Sequence, residues 1–282
     1  MTVVVATVLG FANADGVREV LRRIAAQHTR PAAVVVVDNG SREPLELPAS
    51  VDGLRVDTVR SDTNLGVGGG HNLALRTALD RLGADAVWVL EHDSFPDAGC
   101  LAALLTEHAR HTAPAVTVPD LARNFYERAW PRADHTGETL ARFTFNGPLI
   151  DRAVIEQVGW INEDFFVGQE DWEYSSRVTA GGFPVRRCCR SMVMHATKGD
   201  RRFDTYVSPS RLYYSARNLL AARRPLARPR VVQLGLVTVA KAAAELVRPR
   251  RGPAYAAARW WAYVDGVSGR LGPSSRRFGA DG

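Results

Sequence analysis

The chain reads as an α/β protein: a mostly parallel, Rossmann-like sheet flanked by helices and followed by a basic helical extension at the C-terminus. Three observations predict this. β-Branched runs alternate with segments of helical period. Each run ends in polar or glycine-rich residues, as parallel strands do where ligands gather. Basic residues concentrate toward the C-terminus. The 282 residues, 46% hydrophobic and 23% charged, suffice for one large or two small domains and exclude a disordered tail or a small disulfide-stapled module.

Residues 3–9 form the first predicted strand, and 17–27 a helix with Val17, Val20, Leu21 and Ile24 on one face. A second buried strand over 33–37 runs into Asp38-Asn39-Gly40-Ser41. A third, over 54–59, precedes the glycine-rich stretch 64–70, after which 71–82 has helical spacing. The fourth strand, 86–90, ends at Glu91-His92-Asp93-Ser94. Further on, the pattern predicts a helix over 100–110, a strand over 116–118 and a strand over 143–150 interrupted by Asn146-Gly147-Pro148. Helices follow over 151–158 and 171–180, the latter stopped by Gly181-Gly182.

Charge is distributed unevenly. Residues 201–282 carry 16 basic and 4 acidic side chains, whereas the first 200 carry 20 and 26. Such a split suggests a basic appendage that meets a polyanion. Within it, 231–247 places Val232, Leu236, Val239, Ala243 and Leu246 on one helical face and Thr238, Lys241 and Glu245 on another. This segment is too short and too polar to span a bilayer, and reads as an amphipathic helix lying on the protein or on a membrane interface. Arg248, Arg250 and Arg251 lie just beyond it, followed by Trp260-Trp261. Cys100, Cys188 and Cys189 have no metal-ligand spacing and read as reduced structural thiols. No leader pattern opens the chain, so a cytoplasmic location is expected.

Several residues invite a chemical reading. Asp38, at a strand end, suits a ribose hydroxyl or a base imide, or else caps its own turn. Glycines 66–70 leave backbone amides free to approach a phosphate ahead of a helix, though without a dinucleotide fingerprint. Glu91 and Asp93, one residue apart, can reach the same Mg²⁺ or Mn²⁺, whose job would be to bridge phosphates; a solvated turn is the alternative. His195 is a possible third ligand or a structural histidine. Glu170-Asp171 sits at a helix mouth, where acids cap, or where one of them acts as a general base.

In order along the chain, Val37-Asp38-Asn39-Gly40-Ser41, Asn64-Leu65-Gly66 with Gly69-Gly70-His71-Asn72, Leu90-Glu91-His92-Asp93-Ser94 with Pro96, the segment 165–171, and Tyr213-Tyr214-Ser215-Ala216-Arg217-Asn218 resemble family 2 glycosyltransferases of the GT-A fold. The resemblance runs from about residue 3 to 272 and is nearest to bacterial rhamnosyltransferases and galactofuranosyltransferases. It implies a catalytic domain over 1–222, with nucleotide-sugar binding in about 1–98 and the acceptor side in about 99–222, and a basic amphipathic tail over 223–282.

Carried over residue by residue, the resemblance assigns Asp38 to the nucleoside and Asn64 and Asn72 to the nucleotide pocket, with Gly69, Glu91 and His92 among the donor contacts. Asp93 and His195 would hold Mg²⁺ or Mn²⁺. Glu91 stands where the family usually has Asp or Asn, so Asp93 is the ligand of choice. Asp171 would be the catalytic base with Glu170 beside it, while Trp172, Asn146 and Arg217 would contact the acceptor or support the site from behind. The implied reaction is inverting transfer from a UDP- or dTDP-linked sugar to a glycan or glycolipid acceptor, a polyprenyl-diphosphate-linked one first among them, by an enzyme peripheral on the inner face of the cell membrane. A soluble metabolite or protein acceptor is the alternative. A nucleic-acid partner is not expected, because it leaves the strand-end carboxylates unexplained.

Overall fold

A computed structural model describes residues 2–122, 135–195, 208–223, 227–248, 251–276 and 278. Among the described residues nine strands form one sheet: β1 (Val4–Gly10), β2 (Ala33–Asp38), β3 (Ser50–Val51), β4 (Leu54–Arg60), β5 (Ala86–Glu91), β6 (Ser94–Pro96), β7 (Val116–Ala122), β8 (Leu149–Asp151) and β9 (Val185–His195). Their spatial order is β3-β4-β2-β1-β5-β8-β7-β9-β6. The segment β4-β2-β1-β5 is parallel, as is the β7–β9 pair, while β3, β6 and β8 pair antiparallel to their neighbours. Every residue of β1 and β2 is buried, which is why these strands read as unbroken β-branched runs.

The described helices are α1 (Ala14–Ala25), α2 (Gly66–Arg76) continued by a π-helical turn (Thr77–Arg81), α3 (Cys100–His108), α4 (Arg152–Val158), α5 (Glu170–Ala180), α6 (Pro209–Ala221), α7 (Arg228–Val247) and α8 (Pro253–Ser268). Asn13 caps α1 by accepting from the Gly16 amide at 3.0 Å, and Val17, Val20, Leu21 and Ile24 bury its inner face. These residues share one core with Trp88, Leu90, Leu101 and Leu104.

Two expectations are corrected here. α2 begins at Gly66, five residues before the predicted start, so glycines 66–70 form the opening of the helix and not a loop. Of 143–150, only the end is strand: Gly147 sits at φ 95°, Pro148 follows it, and β8 begins at Leu149.

The chain divides into two compact units. One gathers residues 1–65, 69–161 and 174–200, including the whole sheet; the other gathers 66–68, 162–173 and 201–282. The expected boundary at 222/223 does not coincide with this division, because α6 and the 162–173 segment belong with the C-terminal helices. The second unit has its own core of Tyr213, Tyr214, Ala258, Ala262 and Phe278. Two buried carboxylates tie it together. Asp265 accepts from the Tyr213 hydroxyl at 2.7 Å and from Arg276 Nε at 2.8 Å, and Glu245 accepts from Arg251 at 2.9 Å and Arg259 at 2.6 Å.

Candidate active site

Strand register brings the polar strand ends to one level. Gly10 pairs with Asp38, Asp38 with Arg60, and Leu9 with Glu91. These residues lie at the carboxyl ends of four adjacent parallel strands, where open α/β sheets bind ligands.

Asp38 is 1% exposed and wholly engaged: it accepts from the Ser41 and Leu45 amides at 3.0 and 3.1 Å and from the Arg60 guanidinium. Burial by itself would raise its pKa, but these bonds outweigh it and hold the carboxyl below its ordinary value. Asp38 thus fixes the turn beyond β2. The next residue, Asn39, accepts from the Leu65 amide at 3.0 Å and donates to Asn64 Oδ1 at 3.3 Å. Gly40, at φ 74°, lets the Asn64 segment lie directly on this turn, since a Cβ there would fall 2.4 Å from the Asn64 nitrogen. Ser41 takes the Ala12 amide on its hydroxyl at 2.9 Å, holding Ala12 at φ 48°. Ser41 and Asn39 are residues of the candidate site whose only sequence signal is a short polar side chain after a buried strand.

Gly69 is buried within α2. Asn72 is fully buried: its amide donates to the Ile161 carbonyl at 2.8 Å and accepts from the Ile161 amide at 3.0 Å. This reciprocal pair fixes α2 on the Ile161 backbone, a structural role beside the expected nucleotide contact. Two residues earlier, Gly70 lies against Leu9 and Asn39 so closely that a Cβ would meet Leu9 Cδ1 at 2.4 Å.

The turn after β5 carries the sharpest arrangement. Ser94 pairs with His195 across β6 and β9, which sets Asp93 Oδ2 3.3 Å from His195 Nε2. The other oxygen, Oδ1, is buried without a hydrogen-bond partner. Desolvation pushes the Asp93 pKa up, but the bond and charge of His195, with His92 nearby, bring it below the ordinary value. An orphaned carboxylate oxygen beside an imidazole suits a Mg²⁺ or Mn²⁺ that keeps water and phosphate oxygens as its remaining ligands. No cluster of three His, Cys, Asp or Glu side chains with metal-binding geometry occurs among the described residues.

Glu91 turns instead to His71, whose Nε2 lies 3.3 Å from Glu91 Oε1 while its ring packs on Phe145 at 4.8 Å. Sequence reasoning misses His71 as a site residue, because a single histidine on a buried helix face gives no chemical signal in sequence. His92 anchors the turn by donating its amide to the Leu9 carbonyl at 2.9 Å. Asn146 stands behind: Ser94 Oγ donates to its Oδ1 at 2.7 Å and accepts from the Glu91 amide at 3.2 Å.

In the second unit, residues leading into α5 are strained. Phe166, Gly168 and Gln169 all have positive φ, at 62°, 83° and 73°. Asn218 on α6 holds them by donating to the carbonyls of Phe165, Val167 and Gly168 at 2.7, 3.1 and 2.6 Å. Arg217 is buried and donates to the Phe165 and Gly272 carbonyls at 3.1 and 2.7 Å, so it braces the segment from within. This brace presents Glu170, buried, and Asp171, half-buried with Oδ1 accepting from the Trp172 amide at 2.8 Å. Trp172 is 44% exposed, more open than a shield over a carboxylate would be.

The family model for glycosyl transferase family 2 matches residues 2–164, more than half of the chain. The chain belongs to that family. It is 24% identical over 234 residues to the low-salt glycan biosynthesis hexosyltransferase Agl10 of Haloferax volcanii, covering 76% of this chain and 73% of that protein. To the galactofuranosyltransferase GlfT1 of Mycolicibacterium smegmatis it is 25% identical over 198 residues, covering 62% of this chain and 65% of the relative, just under two thirds of its length. The fold is that of the mannosyltransferase PcManGT from Pyrobaculum calidifontis, solved with GDP-Man and Mn²⁺: TM-score 0.60, 17% identity, 95% of this chain and 88% of the other. The protein is a glycosyltransferase of the GT-A fold.

Proposed function

We propose that this family 2 enzyme is an inverting transferase that moves a rhamnosyl or galactofuranosyl-type sugar from a UDP- or dTDP-linked donor to a hydroxyl of a glycan or glycolipid, foremost a polyprenyl-diphosphate-linked cell-envelope glycan. The observation that carries the reading is Asp93, with one buried oxygen unpartnered and the other against His195, at the ligand-binding ends of the parallel strands. A divalent Mg²⁺ or Mn²⁺ at Asp93 and His195 would neutralise the departing nucleotide diphosphate.

The remaining work falls to the chain. The Asp38–Ser41 turn and Asn64 shape the nucleoside end, with Asp38 acting through Asn39 and Arg60. His71 holds Glu91 in place beside the diphosphate position. Asp171 takes the proton from the acceptor hydroxyl as its oxygen attacks the anomeric carbon from the face opposite the leaving group. Glu170 orients Asp171 or the acceptor. The basic C-terminal helices hold the enzyme peripherally against the inner, anionic face of the cell membrane.

Incubation with a panel of nucleotide sugars that includes UDP-galactofuranose and dTDP-rhamnose, with Mn²⁺ or Mg²⁺ present, tests the reading. Slow metal-dependent hydrolysis of one of those two is expected. Hydrolysis confined to other sugars would refute the sugar assignment, and full activity in excess chelator would refute the role of Asp93.

A further inference from the structure

α7 is amphipathic in the sense opposite to that of a helix laid on a core. Its one acid, Glu245, points inward, is 1% exposed, and is held by Arg251 and Arg259. Val232, Leu236, Val239, Leu246 and Val247 point outward, between 53% and 83% exposed. Separated by four, three, seven and one residues, they fall within about 100° of arc and form one apolar ridge along a helix of 20 residues. Arg228, Arg230, Lys241 and Arg248 are exposed on the same helix and just past its end. A ridge of this kind on a water-facing surface marks an interaction site.

The charges select the occupant. Two copies meeting through this ridge would bring their exposed cations together with no exposed acid on either helix to offset them. An anionic bilayer meets both features at once, the ridge in its acyl boundary and the cations at its phosphates. No described helix is long and apolar enough to cross a membrane, so the contact is in-plane. We infer that α7 docks lengthwise into the surface of an anionic bilayer, with the ridge of Val232, Leu236, Val239, Leu246 and Val247 sunk into it and Arg228, Arg230, Lys241 and Arg248 at the headgroups. This rests on the membrane-side part of the proposed function and is independent of which sugar is moved.

The full chain is co-sedimented with vesicles of phosphatidylcholine alone and of phosphatidylcholine with phosphatidylglycerol. The wild type binds the anionic vesicles, and its binding weakens as salt rises. Leu236→Glu with Val239→Glu lowers partitioning at least tenfold while melting and donor hydrolysis stay at wild-type values. Arg228→Ser, Arg230→Ser and Lys241→Ser together remove most of the preference for anionic lipid. Wild type that binds no vesicles, or a double variant that binds as before, overturns the inference. So does a wild-type dimer in solution that the double variant dissolves without any vesicle binding. Loss of vesicle binding in the double variant supports the docking even where no donor is hydrolysed, which separates its failure from that of the glycosyl-transfer reading.

Discussion

Asp93 and Asn72 are both polar residues of one motif-bearing region, yet their surroundings give them opposite expected phenotypes. Asp93 keeps an oxygen with no protein partner, so Asp93→Ala removes little that holds the fold and lowers turnover by a factor on the order of 10² or more at any Mn²⁺ concentration. His195→Ala is milder, because a water replaces one ligand. Asn72 has both amide atoms on the Ile161 backbone, so Asn72→Ala strands two buried groups and costs about 1–3 kcal/mol of stability with the donor KM nearly unchanged. Urea melts together with metal-titrated kinetics separate the two. Retained turnover in Asp93→Ala would remove it from the metal site. For the adjacent acids, Asp171→Asn should fold and bind donor, yet lose transfer by a factor on the order of 10² to 10⁴, with Glu170→Gln less affected. Near-normal turnover in Asp171→Asn would exchange their roles.

At the scale of elements, the segment before α5 is held in a strained path by two neighbouring side chains of α6, Arg217 and Asn218. Asn218→Ala removes three hydrogen bonds to the carbonyls of Phe165, Val167 and Gly168. The expected result is a fall in kcat greater than any change in donor KM, with more rapid hydrogen exchange over 165–169; equal protection in variant and wild type would deny the brace. The strand ends were legible because parallel strands buried on both faces leave unbroken β-branched runs and sharp polar stops, as at Val37-Asp38 and Leu90-Glu91. The start of α2 was not, since glycine is a poor helix former. Close approach to Leu9 and Asn39 demands it there all the same. β9 was not legible: its first residues are mostly arginines and cysteines that alternate poorly, which leaves only the short apolar run Met192-Val193-Met194. In α7 the periodicity was plain, but periodicity locates two faces without saying which is covered; Glu245 inside a clasp of arginines decides that.

Across the whole molecule, the excess positive charge of the last 82 residues has two uses, and they can be told apart by pH. Part of it is internal: Arg251 and Arg259 clasp Glu245, and Arg276 clasps Asp265. Arg251, expected among the cations free to meet lipid, is therefore structural, and Arg250 lies outside the described residues. Burial would raise the pKa of Glu245 and of Asp265, but their arginine partners, and for Asp265 the Tyr213 hydroxyl, hold both below their ordinary values. A carboxylate depressed in the folded state contributes stability that is complete above its unfolded pKa and is lost as pH falls through the folded one. The C-terminal unit should accordingly be at full strength near neutrality and weaken progressively below roughly pH 4, where unfolded carboxylates begin to protonate. Urea unfolding at pH 7 and at pH 3.5 reads this as a drop in midpoint. Glu245→Gln should cost about 3 kcal/mol at pH 7, toward the lower end for a broken buried pair because its arginines can still reach water. It should also show a smaller acid-induced drop than the wild type, having lost one of the groups that protonates. An acid drop as large in Glu245→Gln and in Asp265→Asn as in the wild type would place the pH-sensitive carboxylates elsewhere, and the clasps would then be packing contacts alone.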